Sequence, residues 1–250
     1  MPTPSPAGPA HDRFTLHASQ VDVWIARFLR DEASPFLPLL DDDERSRAER
    51  FRFDRHRDRF LFRRVLRRVL LGRYLGLPPQ DLRFGTDAQG KPFLADGTPG
   101  LAFNASHSGD FAVVAVTAGR AVGVDVERVR PEGGLERVAA RFFAADEVEA
   151  LRKIPAAAQG AAFFRCWTRK EAYLKARGEG LSLSLGRFAV PLTPEPGPAL
   201  LRFDGDPGEP GRWSREDLDV ADGYAGAVVV EGPSPALARR VAVLSRLTGA

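Results

Sequence analysis

Hydrophobic and polar positions change period several times along the chain, and each change marks an element. Val21, Val23 and Ile25 alternate with polar or small residues, which predicts a strand within 14–28. Asp41–Asp43 can cap a helix running into an arginine-rich stretch. Leu61, Phe62, Val65, Leu66, Val69 and Leu70 then recur at helical spacing, with Arg63, Arg64, Arg67 and Arg68 on the flanking face, until Gly76-Leu77-Pro78-Pro79 ends the helix. Short strands are predicted at Leu82–Phe84, Pro92–Leu94, Leu101–Asn104, Phe111–Thr117 and Ala121–Val126, and helices at Leu135–Phe143, Ala145–Lys153 and Ala161–Lys175. Pro191, Pro194, Pro196, Pro198, Pro207 and Pro210 punctuate 191–215, which predicts a long surface excursion. Tyr224–Val230 predicts a closing strand and Pro235–Leu247 a terminal helix. A strand, then helices, then more strands recur twice, so the expected class is α+β with two similarly organised halves. The division expected is a disordered tail at 1–12, an N-terminal half at 13–120 and a C-terminal half at 121–250 that carries the excursion.

The chain has 250 residues, 44% of them hydrophobic, enough for a packed core. The net charge of +3 is modest, but its distribution is not even. Arginines stand at 45, 47, 50, 52, 55, 57, 59, 63, 64, 67, 68 and 73, opposed between 44 and 73 only by Glu44, Glu49, Asp54 and Asp58. Such a field suits polyanions: nucleic acid, a phosphorylated cofactor or an acidic protein. With Cys166 as the only cysteine, no intrachain disulfide and no thiolate metal cluster can form. Met1–Ala10 has no apolar run of the signal-peptide kind, and no stretch approaches ~18 consecutive apolar residues, so a cytoplasmic protein is expected. Walker A, G-x-G-x-x-G and G-x-S-x-G sequences are lacking.

Three segments could carry chemistry. In Gly123-Val124-Asp125-Val126-Glu127, strand alternation puts Asp125 and Glu127 on one face. Two carboxylates ~7 Å apart suit a hard cation such as Mg²⁺, though an ordinary solvated strand face has the same pattern. In Trp167-Thr168-Arg169-Lys170-Glu171-Ala172-Tyr173-Leu174-Lys175, Glu171 and Lys175 share a helix face. That spacing fits an exposed ion pair, or a proton acceptor beside a cation that steadies a departing phosphate. Phe103-Asn104-Ala105-Ser106-His107-Ser108-Gly109 reads as a site loop around one histidine, with a buried structural histidine as the other reading. The apolar neighbours of Cys166 argue against a thiol nucleophile.

Taken together and in this order, Ser106-His107-Ser108, Gly123-Val124-Asp125-Val126-Glu127 and Trp167-x-x-Lys170-Glu171-Ala172-x-x-Lys175 resemble the 4′-phosphopantetheinyl transferase superfamily, in particular its larger Sfp-type branch. Arg50-Phe51, Gly90-Lys91-Pro92, Arg141-Phe142-Phe143 and Gly178-Glu179-Gly180-Leu181-Ser182 extend the resemblance over roughly 40–190.

The resemblance implies two similar α+β halves in one chain with the active site in the cleft between them. It implies transfer of the phosphopantetheine arm of coenzyme A to a serine of an acyl or peptidyl carrier protein, with release of 3′,5′-ADP. Asp125, Glu127 and Glu171 match metal-binding positions for Mg²⁺, with Mn²⁺ as the alternative. Glu171 also matches the general base, Lys175 the residue that assists the departing 3′,5′-ADP, and His107 and Ser106 positions that contact the cofactor's phosphates. Lys91, Arg59, Arg45 and Arg47 match basic positions around the adenosine 3′-phosphate. Arg63, Arg64, Arg67 or Arg68 are expected near the carrier. Carriers of polyketide or nonribosomal-peptide synthesis, a monomeric enzyme, and no nucleic-acid or membrane partner complete the expectation. The rivals are a coenzyme A-binding relative that does not catalyse and a basic nucleic-acid-binding module.

Overall fold

The computed structural model describes residues 13–30, 32–88, 90–95, 100–130 and 134–248. The tail expected at 1–12 lies outside them. In chain order the elements begin with β1 (Gln20–Arg27), α1 (Asp42–Glu49), α2 (Asp54–Leu75), β2 (Phe84–Thr86), β3 (Pro92–Leu94), β4 (Ala102–Ser108), β5 (Phe111–Thr117) and β6 (Val122–Arg128). They continue with α3 (Leu135–Phe142), α4 (Ala145–Lys153), α5 (Ala156–Arg177), β7 (Phe188–Ala189), β8 (Arg202–Phe203), β9 (Trp213–Asp217), β10 (Tyr224–Glu231), β11 (Ala236–Ala242) and α6 (Leu244–Thr248). Among the described residues no helix is long and apolar enough to cross a membrane.

The chain is α+β, and its organisation repeats: β1, then the 22-residue α2, then the hairpin β4–β5; β6, then the 22-residue α5, then the hairpin β9–β10. Pairing repeats as well, with sheet orders β11-β1-β5-β4 and β6-β10-β9.

By its contacts the chain divides into two compact units. The first comprises the residues up to Thr15, Phe28–Leu82 and the end from Ala242. There the Asp41 carboxylate caps α1, accepting from Glu44 N at 2.8 Å. The chain breaks at 50–53 and restarts as α2, which ends at Gly76 with φ +67°, a left-handed exit that glycine adopts without strain. Phe62, Val65, Leu66, Val69 and Leu70 are buried, as the helical spacing predicts. The docking role expected for Arg67 and Arg68 is corrected here. Both are buried, Arg68 with no exposed surface. Arg68 binds Glu44 at 2.6 Å, Asp41, and the carbonyls of Leu82 at 2.8 Å and Pro79 at 3.1 Å, while Arg67 binds Glu44 at 3.2 Å. Those charges hold α1 and the chain after α2 to the helix, because a guanidinium taken out of water is stable only beside carboxylate and carbonyl acceptors.

The second unit comprises Leu16–Arg27 and Arg83–Val241. Val21 and Val23 of β1, Val113 and Ala115 of β5, Val122, Val124 and Val126 of β6, and Val228 and Val230 of β10 share one core. A second core lies on the other side of β10, where Ala227 and Val229 meet Phe163, Cys166, Tyr173 and Leu174 of α5. The central strand β10 therefore carries apolar residues on both faces, which accounts for its valine run Val228–Val230, while β6 is apolar on one face only.

Three element assignments change. The segment expected as a loop after Asn104 is the second half of β4. The excursion contains β8 and the start of β9. The terminal helix expected at Pro235–Leu247 is mostly β11, an edge strand beside β1, followed by the five-residue α6.

Candidate functional site

Every second residue of β4 from Asn104 is polar, and each of these side chains is satisfied by β6. Asn104 Oδ1 accepts from Val124 N at 2.9 Å. Ser106 Oγ donates to Asp125 Oδ1 at 2.7 Å and Ser108 Oγ to Glu127 Oε2 at 2.7 Å. Ser108 Oγ also accepts from Arg128 N at 3.1 Å. The strand alternation that buries Val122, Val124 and Val126 thus turns Asp125 and Glu127 toward a row of hydroxyls.

Gly123 brings α5 to the same place. A Cβ there would collide with Ala172 O and Ala176 N of α5 and lie 2.9 Å from the Lys175 carbonyl carbon. Backbone rests on backbone, and only glycine permits it. Glu171 and Lys175 sit on that stretch of helix. Lys175 Nζ donates to Asp125 Oδ1 at 2.6 Å, Ser106 Oγ at 3.1 Å and Val124 O at 3.2 Å. Gly123→Ala is therefore expected to cost about 1–3 kcal/mol of stability, since the obstacle is backbone and cannot rotate away. If chemical denaturation showed no loss, the close approach would not constrain the fold.

Lys91 donates from Nζ to Lys175 O at 2.6 Å. Gly90, Lys91, Asn104, Glu171, Leu174, Lys175, Gly178 and Gly180 line a cavity of about 250 Å³. Burial pushes the Glu171 carboxyl above its ordinary pKa, and the neighbouring Asp125 and Glu127 add to the rise while Lys175 opposes it. Glu127 is raised too, by burial first and then by Asp125, with the Ser108 hydrogen bond acting the other way. Burial lowers the Lys91 ammonium, against Asp87.

A divalent cation suits this group in one respect and needs a partner in another. Asp125 Oδ2 is buried without a hydrogen-bond partner, and the charge of Asp125 pushes the Glu127 and Glu171 carboxyls up, so added positive charge would offset the crowding of negative charge. Yet among the described residues no three Asp, Glu, His or Cys side chains converge as a ready cage. Mg²⁺ seldom uses one: it binds through one or two carboxylates, waters and substrate phosphate oxygens. The donor set fits an ion that arrives with a phosphate.

The structure thus gathers Ser106, Asp125, Glu127, Glu171, Lys175 and Lys91. His107, between two inward hydroxyls, faces the other way on β4 and is exposed. Arg45, Arg47 and Arg59 belong to the first unit. There Arg45 pairs with Asp42 at 2.5 Å, and Arg47 and Arg59 lie over the rings of Phe60 and Phe28. Cys166 is fully buried and burial pushes its thiol well up, in keeping with an inert residue. Two contributors, Asn104 and Ser108, lie within the segment that the sequence marks as able to carry chemistry but had no role assigned there. The period-two spacing Asn104-x-Ser106-x-Ser108 was the available signal.

Two family models cover most of the chain. Residues 121–229 match the 4′-phosphopantetheinyl transferase superfamily, and 29–119 match the N-terminal part of 4′-phosphopantetheinyl transferases. The chain is 39% identical over 228 residues to the 4′-phosphopantetheinyl transferase HetI of Nostoc sp., covering 90% of this chain and 93% of that protein. It is 37% identical to a 4′-phosphopantetheinyl transferase of Bacillus pumilus (76% of this chain, 78% of the relative). To the 4′-phosphopantetheinyl transferase Sfp of Bacillus subtilis it is 34% identical (65% and 71%). The carboxylate strand, the Glu171–Lys175 helix and these matches agree: this chain belongs to the 4′-phosphopantetheinyl transferase superfamily, in its Sfp-type branch.

Proposed function

We propose that the chain transfers the 4′-phosphopantetheine arm of coenzyme A to a serine hydroxyl of a carrier protein, and that the cavity beside Glu171 is where the bond is exchanged. The observation that carries this reading is the pairing in one cavity wall of a carboxyl with raised pKa, Glu171, and an ammonium, Lys175, beside the unpartnered Asp125 Oδ2. A raised carboxyl is a better proton acceptor at neutral pH. About 250 Å³ is below the range of roughly 300–1,000 Å³ for pockets that enclose a whole drug-sized ligand, so this cavity takes part of coenzyme A. The pyrophosphate is the part its charges suit.

In the step proposed, the serine oxygen attacks the phosphorus that bears pantetheine, and its proton passes to Glu171. The bond from that phosphorus to the leaving oxygen breaks, and 3′,5′-ADP departs with its added charge toward Lys175. Ser106 and Asn104 hold Asp125 and β6 in place, and Lys91 adds a cation at the cavity rim. Asp125, Glu127 and Glu171 are the residues that would hold Mg²⁺, or Mn²⁺ in its stead. When bound, the ion neutralises phosphate charge as phosphoryl transfer requires. His107, Arg45, Arg47 and Arg59 as phosphate contacts rest on the resemblance alone. So do the polyketide or nonribosomal-peptide carriers, the monomeric state, the cytoplasmic location and the lack of nucleic-acid or membrane partners. The halves meeting at 120/121, with a shared cleft, are proposed on the same ground.

Intact-mass spectrometry of an apo carrier incubated with the chain, coenzyme A and Mg²⁺ tests the reading. The carrier should gain ~340 Da, the size of the arm joined by phosphoryl transfer, and EDTA should abolish the gain. No gain on fatty-acid, polyketide and peptidyl carriers, despite measurable coenzyme A binding, would favour a non-catalytic relative.

A further inference from the structure

The transfer step uses one face of α5, and the opposite face carries a polar network that the step leaves unexplained. Glu171 and Lys175 lie four residues apart, as do Tyr173 and Arg177, and the two pairs are half a helix turn apart. Glu209, in the excursion, is 3% exposed and sits under the second pair. Its Oε1 accepts from Tyr173 OH at 2.6 Å, Arg177 Nη1 at 2.8 Å and Trp213 Nε1 at 2.8 Å. Its Oε2 accepts from Arg212 Nη1 at 2.8 Å. Arg177 Nη1 also donates to Tyr173 OH at 2.9 Å, and its guanidinium lies 4.7 Å from the centre of the Phe203 ring. Burying a carboxylate is costly, and a fully engaged one chiefly fixes geometry.

What Arg177 fixes is the cavity wall. Its Nε donates to Glu179. Glu179 lies between Gly178 (φ +78°) and Gly180 (φ +57°), and both glycines line the cavity with Lys175 and Glu171. Two left-handed glycines flanking one residue leave the chain free to take other paths. The Arg177–Glu179 bond selects one of them, and Glu209 holds Arg177 still.

We propose that Glu209 and Arg177 are positioning residues for the transfer, tying the excursion to the Gly178–Gly180 wall and so setting the affinity for coenzyme A. This rests on the cavity being the coenzyme A site. The test compares wild type with Glu179→Ala and Arg177→Met in the full chain, by coenzyme A titration calorimetry and by steady-state transfer to an apo carrier. Glu179 is partly exposed, so its variant should melt with wild type. Both variants should raise the Kd and KM for coenzyme A about tenfold, the size expected for one charged hydrogen bond, with kcat within about threefold. Glu209→Gln, which keeps an acceptor for Tyr173, should fall between wild type and Arg177→Met. Unchanged coenzyme A affinity in Glu179→Ala and Arg177→Met, or a fall in kcat and melting temperature alone, would overturn the positioning role. Wild type that neither binds coenzyme A nor modifies a carrier would instead overturn the functional reading beneath it.

Discussion

Glu171→Gln should still bind coenzyme A and should lose transfer by roughly 10²–10⁴-fold, the usual contribution of a positioned general base. The amide keeps the size and polarity of the side chain, so the cavity wall that Glu171 shares with Lys175 and Lys91 stays filled. What disappears is a proton acceptor whose basicity burial, Asp125 and Glu127 raise. Removing the charge also lessens the repulsion among the three carboxylates, so coenzyme A affinity without added metal should hold or improve. That combination separates the base from a phosphate-binding role. A variant that binds coenzyme A much more weakly and turns over normally at saturation would assign Glu171 to binding. A variant with unchanged kcat and KM would remove it from the reaction.

The parts of the fold written in apolar periodicity were legible in the sequence. The valines of β1, β5, β6 and β10 are buried, as is the stripe of α2 apart from the half-buried Leu61. What escaped notice has a common cause, polar residues that are partnered inside the protein. The segment from Asn104 to Ser108 has a loop's composition, yet it is strand, because β6 supplies a partner for each polar side chain that faces it. β9 contains Ser214, Arg215, Glu216 and Asp217 and has no apolar alternation. Arg215 is nonetheless buried and pairs with Asp217, which also holds the fully buried Arg169. Arg67 and Arg68 show the same thing in a helix. β11 was hidden differently: it is an edge strand in which Leu237 packs on the core and Ala242 is buried, but Val241 is 80% exposed and two arginines stand between, so no clean apolar alternation marks it. The candidate carboxylates were placed on shared faces by their strand and helix spacing, but that spacing also fits an ordinary surface, and only the family resemblance singled them out. That β4 and α5 meet β6 there depends on pairing and on Gly123, which no local pattern specifies.

Lys170→Met should destabilise the protein by about 3–5 kcal/mol, the range for breaking a buried ion pair, which lowers the melting temperature by roughly 6–20 °C for a domain of this size. Lys170 has no exposed surface. Its Nζ lies 2.7 Å from Glu147 Oε2 and donates to Leu185 O at 2.8 Å and Phe188 O at 2.6 Å, with the Phe188 ring 4.3 Å away. Glu147 in turn accepts from Ala144 N and Val190 N, both at 2.8 Å, so one ion pair ties α4, α5 and the chain around β7 together. Methionine fills most of the volume and leaves Glu147 with two backbone donors and no countercharge. The double variant Lys170→Met/Glu147→Leu should recover part of the loss, and only part, because those two N–H groups would then lack an acceptor. At temperatures where Lys170→Met remains folded, its KM for coenzyme A should equal that of wild type. An unchanged melting temperature with an altered KM would instead place the lysine in the site. The Trp-x-x-Lys-Glu-Ala signature then divides by physical role. Trp167 packs on Phe143 and Phe163, Lys170 anchors α5 to Glu147 and to the Leu185 and Phe188 carbonyls, the Ala172 backbone lies against Gly123, and Glu171 lines the cavity. A signature that looks like one catalytic motif thus holds three packing constraints and a single carboxyl left facing the cavity.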